Sequence, residues 1–254
     1  MAKENVLLAK NWTPDINPEG YLMSEKLDGI RATWNGKNFV SRLGNVFPAP
    51  EHFKRQMPSG VILDGELWLG RNSFEETSSI VRCGSLDKGW NKLIYMAFDA
   101  PSDKYRFETR IEYVEKVVAQ SKVCRLVDHV ECKGKDHLLK ALNNVIEVGG
   151  EGLMLRRPGS VYEYKRSNTL LKVKKFFDAE ATIIGYAPGK GKYSSMLGAL
   201  MCKLDNGVEF EIGIGFTDFQ RANPPKIGTR VTFSHLGYMK SGSPRNAVYE
   251  RVRQ

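Results

Sequence analysis

The spacing of apolar residues divides the chain into two stretches with different periods. Up to about residue 177, alternating runs typical of half-buried strands are interleaved with runs that repeat every three to four residues, as a helix packed by one face does. YLMSEK is extended in character. RATW and KNFVS flank Asn35-Gly36, a pair that accepts the positive φ of a type I′ turn, so a hairpin is expected there. Pro48 and Pro50 end this unit, and residues 51–56 read as a short helix. VILDGELWLG alternates as a strand and puts Asp64 and Glu66 on one face. Ser73 followed by Glu76 forms a capping box for a helix carrying Phe74, Ile80 and Val81, closed at Cys83-Gly84. LIYMAFDA reads as a buried strand. Residues 108–122 and 137–148 are amphipathic helices separated by the strand-like RLVDHV, and Gly149-Gly150 stops the second. GLMLRR is a further strand, and SVYEYKRSN is a polar, basic loop. In LLKVKKFF, Leu171 and Val173 face one way while Lys172 and Lys174 face the other.

Beyond Asp178 the helical period disappears. ATIIGY, ALMCKL, VEFEIGIG, TRVTFSHL and AVYERV are short strands separated by Gly, Pro and Asp205-Asn206-Gly207 turns, which suggests a small barrel of the OB type. The pattern therefore predicts an α+β protein of two domains, residues 1–177 with mostly antiparallel sheets and flanking helices and residues 178–254 forming the barrel. No internal repeat or low-complexity tract interrupts either.

Composition narrows the partner more than the activity. Thirty-eight basic against 29 acidic residues give a net charge of +9, which favours a polyanion through phosphate contacts and counterion release. No apolar run is long enough to span a bilayer, so no membrane role is expected. The amino end has no leader-like apolar stretch, which implies a cytoplasmic protein unless a leader has been trimmed to give a periplasmic form. Cys83, Cys124, Cys132 and Cys202 lie in no CxxC or paired spacing, so neither a zinc site nor a disulfide framework is indicated.

Six short motifs carry the chemistry. They are Lys26, Asp28, Gly29 and Arg31 as KxDGxR; Ser41, Arg42, Gly44 and Asn45; Asp64-Gly65-Glu66; Tyr95, Phe98 and Asp99; Glu151-Gly152-Leu153; and Leu171, Lys172 and Lys174. Any one of them occurs by chance, but together, in this order, they resemble the covalent nucleotidyltransferases, and among these the minimal ATP-dependent DNA ligases of the small bacterial E type. The resemblance implies a ligase-type (ATP-grasp-like) nucleotidyltransferase domain ahead of the OB-fold domain, and a bare two-domain enzyme without an amino-terminal DNA-binding domain or long clamp loop. It implies sealing of 5′-phosphate, 3′-hydroxyl nicks in duplex DNA, with ATP and a divalent cation (magnesium or manganese), by a monomer. RNA ligases and mRNA capping guanylyltransferases share the motif order and stay open at this point, as does a non-catalytic relative.

The resemblance also assigns roles. Lys26 is the nucleophile that takes AMP, and as an amine it must be deprotonated when it attacks; neighbouring cations and burial favour that form. Glu25, Arg31, Lys172 and Lys174 contact the nucleotide, and Phe98 stacks on adenine. Glu66 and Glu151 contact the ribose or hold the metal. Asp28 orients Lys26, contacts the metal or shapes the turn, whereas Asp64 reads as structural. Arg42 meets the 5′-phosphate of the nick, where a guanidinium fork suits a phosphate, and Arg166, Lys190 and Lys192 follow the DNA backbone. Arg245 and Arg253 correspond to the terminal motif that orients pyrophosphate, although Ala247 and Tyr249 depart from it. An enzyme that holds DNA by its basic surface should lose nick sealing steeply as salt rises. A sealing rate that stays flat between low and moderate salt would contradict this.

Overall fold

The computed structural model describes residues 6–83 and 89–253, in two compact units, Met1–Lys174 and Lys175–Gln254. Gly84, the expected stop of the second helix, lies outside the described residues. Among the described residues, unit 1 contains strands β1 (Leu8–Asn11), β2 (Leu22–Glu25), β3 (Ile30–Trp34), β4 (Phe39–Val40), β5 (Leu63–Trp68), β6 (Ile94–Asp99), β7 (Cys124–Leu126), β8 (Val130–Glu131), β9 (Leu153–Arg156) and β10 (Arg166–Val173). Its helices are α1 (Glu51–Lys54), α2 (Phe74–Arg82), α3 (Phe107–Val118) and α4 (Lys135–Glu147). One sheet runs β1-β10-β9-β2-β8 and the other β4-β3-β5-β6-β7, antiparallel except for β1 against β10 and β6 against β7.

Each sheet buries one face under helices, as the mixed periodicity requires. Trp34, Phe39, Phe53, Trp90 and Tyr95 form an aromatic core on the second sheet, joined by Val114 and Val118 of α3. Leu153, Leu155, Leu171 and Val173 of the first sheet pack with Leu138 and Leu142 of α4. In β6 the burial alternates: Tyr95, Ala97 and Asp99 are buried while Ile94, Met96 and Phe98 are half-buried. A wholly buried strand was expected from its composition; its second face is only half-buried, and Phe98 on that face lines a cavity.

Three local expectations are corrected. The hairpin forms, but Trp34 pairs with Phe39, leaving residues 35–38 as the connection. Gly36 has φ 89°, whereas Asn35 stays outside the left-handed region and uses its Oδ1 to accept from the backbone N–H of Lys37 and Asn38, so the turn is not type I′. Ser73 precedes α2 without capping it, because its hydroxyl donates to the Arg71 carbonyl at 3.1 Å. A capping box does occur where no helix was expected: Thr217 and Gln220 exchange bonds of 3.2 and 2.8 Å to open α5 (Asp218–Ala222) in unit 2.

The rest of unit 2 is the five-stranded sheet expected, β11 (Phe177–Pro188), β12 (Leu197–Lys203), β13 (Glu209–Ile212), β14 (Arg230–His235) and β15 (Val248–Val252), in the order β13-β12-β11-β14-β15. Its ladder is not a closed barrel. Among the described residues its two edges are joined by an isolated parallel bridge, Ile214 to Val248, beside the stacked rings of Phe216 and Tyr249.

Unit 1 buries a charge cluster between its layers. Asp99 accepts from Arg110 Nε at 2.6 Å and Nη2 at 3.1 Å, and pairs with Arg156 Nη2 at 2.9 Å, all three residues being at most 4% exposed. Arg110 further donates to the carbonyls of Tyr105 and Ser160. A buried carboxylate serving two guanidiniums cannot be removed cheaply, because both cations would then be stranded out of water. Asp99→Asn should cost about 3–5 kcal/mol in urea denaturation, while Lys165→Ala, which breaks the exposed pair with Glu163, should change stability by less than about 1 kcal/mol. Similar losses for the two variants would contradict this assignment.

Candidate active site

Lys26 stands just past the end of β2, in the turn that leads to β3, and two glycines bring that turn against its neighbours. A Cβ on Gly29 would lie 2.4 Å from the Leu67 carbonyl of β5, so only glycine lets the turn approach that strand. Gly152 has φ 151°, and its carbonyl accepts the Lys26 N–H at 2.9 Å. The lysine is thereby tied to the turn that carries Glu151. Its Nζ donates to Glu151 Oε2 at 2.6 Å, and Lys174 Nζ takes the other carboxylate oxygen.

A cavity of about 240 Å³ opens beside this amine, and both sheets of unit 1 supply its walls. Glu25, Lys26, Arg31, Glu66, Phe98 and Lys172, all singled out from the sequence, line it. The Arg31 guanidinium lies over the Phe98 ring at 5.4 Å from its centroid and grips the fully buried Asp64 through Nε at 3.0 Å and Nη2 at 2.6 Å. Glu25, also on the wall, is clasped by Arg71 at 2.8 and 2.7 Å.

The two glutamates are tuned in opposite directions. Burial pushes the Glu151 carboxyl up, but Lys26 and Lys174 together outweigh it and hold the group below its ordinary value, so it stays ionised. Glu66 has no such pair. Burial dominates there, Lys26 and Arg31 offset it only in part, and its carboxyl is pushed up to about 8. Glu66 thus holds its proton more tightly than an ordinary glutamate. Lys172 is shifted down, by burial first and then by Lys174, Arg166 and Lys26. Among the described residues no group of three or more His, Cys, Asp or Glu side chains is arranged to hold a metal ion. The Glu151 carboxylate fits a magnesium ion that arrives with a nucleotide, phosphate oxygens completing the shell, and the charge of such an ion would draw the proton from Glu66 and make it a second ligand.

The other predicted residues lie elsewhere. Asp28 is in the same turn but not on the cavity wall. Arg42 is exposed in the loop after β4, and Arg166 begins β10, donating to the Ala9 carbonyl at 2.5 Å. In unit 2, Lys192 sits 4.5 Å over the Tyr193 ring and pairs with Asp218 at 3.4 Å, and Lys190 precedes it. Arg253 pairs with Glu180, and the backbone N–H of Arg245 donates to the Gly237 carbonyl. Sequence reasoning missed Arg156 and His129 on the wall, since an arginine ending a strand and a histidine within RLVDHV carry no motif signal.

Comparison with known proteins gives this constellation a family. A model of the ATP-dependent DNA ligase domain matches residues 11–174, and one of the DNA ligase OB-like domain matches residues 188–253. The chain belongs to the ATP-dependent DNA ligases. The ligase is 39% identical over 238 residues to a DNA ligase of Haemophilus influenzae, covering 93% of this chain and 88% of that protein. It is 29% identical over 230 residues to the multifunctional non-homologous end joining protein LigD of Pseudomonas aeruginosa, of which it spans 26%. Among solved structures, a Lig E DNA ligase described as binding DNA with a minimal scaffold superposes with a TM-score of 0.92 at 38% identity, over 98% of this chain and 99% of that one. The Chlorella virus DNA ligase-adenylate superposes at 0.59 and 26% identity, over 100% and 99%.

The missed histidine yields a direct check on the cavity's electrostatics. Burial and the nearby Arg156 drive the His129 imidazole down to about 4 against the opposing pull of Asp99 and Asp128, while its Nδ1 is buried without a partner and its ring packs edge-on against Phe107. Between pH 6.5 and 4 the unfolded chain takes a proton that the folded ring refuses, so this residue's contribution to stability falls as pH drops through that window. An NMR titration should give His129 a midpoint near 4; a midpoint near 6.5 would contradict the buried, cationic wall.

Proposed function

We propose that the ligase seals 5′-phosphate, 3′-hydroxyl nicks in duplex DNA as a monomer, with Lys26 as the residue that carries AMP. The observation that supports this best is the placement of the Lys26 amine: on an ionised carboxylate, at the side of a cavity walled by Phe98, Arg31, Glu66 and Lys172. An aromatic face for a base, a carboxyl for a ribose hydroxyl or the metal and cations for phosphates are what an adenine nucleotide needs.

In the first transfer the deprotonated Nζ attacks the α-phosphorus of ATP. A nitrogen–phosphorus bond forms, the bond to the β-phosphate oxygen breaks, pyrophosphate leaves and the amine has given up its proton. In the second, a 5′-phosphate oxygen of the nick takes the AMP and Lys26 is released; in the third, the 3′-hydroxyl attacks the activated phosphate and AMP departs. Lys172, Lys174 and Arg31 balance the charge that these transfers move, and such chemistry is mostly positioning and charge stabilisation. Glu66 and Glu151, with phosphate oxygens, would hold a magnesium or manganese ion, which when bound neutralises phosphate charge. Arg42, Arg166, Lys190 and Lys192 serve the DNA backbone, and Arg245 and Arg253 the departing pyrophosphate.

Incubation with α-labelled ATP and magnesium should label the protein with an acid-labile adduct that Lys26→Ala lacks. Equal labelling of a folded Lys26→Ala protein would remove Lys26 from its role.

A further inference from the structure

Tyr162 falls in the stretch between β9 and β10 that reads from the sequence as a polar basic loop, yet it is only 1% exposed. Its hydroxyl occupies a fixed place in a relay of hydrogen bonds. It accepts the Leu7 N–H at 3.1 Å and donates to Asp64 Oδ2 at 2.6 Å, the oxygen that also holds Arg31 Nη2, while Asp64 Oδ1 holds Arg31 Nε. Asp64 has no exposure of its own, so its orientation rests on these donors. A phenol beside a buried carboxylate must stay protonated to act as donor, and burial followed by Asp64 raises Tyr162 far above its ordinary value.

We propose that Tyr162 is a positioning residue for nucleotide binding: through Asp64 it fixes the Arg31 guanidinium at the cavity wall, facing Phe98. The inference rests on the reading of that cavity as the ATP site. Removing the hydroxyl takes one of the two donors from Asp64 Oδ2 and leaves the Leu7 N–H without its acceptor, so the carboxylate that aims Arg31 loses its register. The ring has separate duties, packing at 5.0 Å from Tyr164 and under the Arg110 guanidinium at 5.8 Å, and Tyr162→Phe preserves these.

The test is single-turnover adenylation with labelled ATP, in which the amplitude reports the folded, competent fraction and the ATP dependence reports binding. Tyr162→Phe should raise the KM for ATP about tenfold, the scale of a lost hydrogen bond to a charged group, with the amplitude nearly unchanged. A structural role alone would lower the amplitude and leave KM where it was. In an Arg31→Lys background, where the guanidinium fork is gone, the same substitution should change KM less than about twofold. An unchanged KM in Tyr162→Phe overturns the proposal, as do effects that multiply in the double variant. Should Tyr162→Phe give no folded protein, Asp64→Asn probes the next link and must also raise KM; a wild-type value there overturns the proposal equally. If Arg31→Lys itself leaves KM untouched, the assignment of Arg31 to ATP falls and the proposal with it. A raised KM in Arg31→Lys beside a normal one in Tyr162→Phe removes Tyr162 alone.

Discussion

A single carboxylate shared by two ammonium groups organises unit 1 around Lys26. Glu151 takes Lys26 on one oxygen and Lys174 on the other, which ties the turn after β2 to the turn before β9 and the end of β10. The backbone repeats the link, since the Lys26 N–H binds the Gly152 carbonyl and β2 pairs with β9 along Leu22 to Glu25. Three segments far apart in sequence therefore meet at one amine. Burial pushes the Glu151 carboxyl up, and the two lysines outweigh it and keep the group ionised. The Lys26 amine is held in place by the group whose charge its own presence helps maintain.

Around that centre the protein spends buried carboxylates on aiming arginines. Asp64 fixes Arg31 at the cavity wall, and Asp99 fixes both Arg110 and Arg156, leaving more buried positive than negative charge in that second cluster. Arg156 has Nε and Nη1 without partners and lies at 4.7 Å over Phe107, close enough to help keep His129 neutral. The resulting wall sets the cations Arg31, Arg156 and Lys172 beside Glu66, whose carboxyl burial pushes up to about 8. The opposite tuning of the two glutamates follows from burial winning at Glu66 and the two lysines winning at Glu151.

Much of this was legible in the sequence because motif residues occupy strand positions whose side of the sheet follows from a period of two. Lys172 reaches the cavity while Leu171 and Val173 enter the core, as their alternation implies. Glu66 and Phe98 reach the cavity for the same reason. What escaped was set by tertiary packing. Tyr162 is buried by Asp64 and Leu7, which lie 98 and 155 positions away, and nothing local marks it. Ser73 and Glu76 have the spacing of a capping box, but the competing Arg71 carbonyl wins the serine hydroxyl; α5 is too short to leave a helical period, so only its cap announces it. The OB-like sheet was readable strand by strand, whereas closure depends on how its edges meet, which strand patterns do not encode.

The central claim is that the Glu151 carboxylate, which takes Lys26 on one oxygen and Lys174 on the other, holds the Lys26 amine in place for attack. The most direct measurement is the single-turnover rate of adenylation in Glu151→Gln, with folding monitored by thermal unfolding. The rate should fall about 100-fold or more, the scale seen when one preorganised group is lost from a charged site, in a protein that stays folded. A folded Glu151→Gln enzyme that takes up AMP at the wild-type rate would contradict the account.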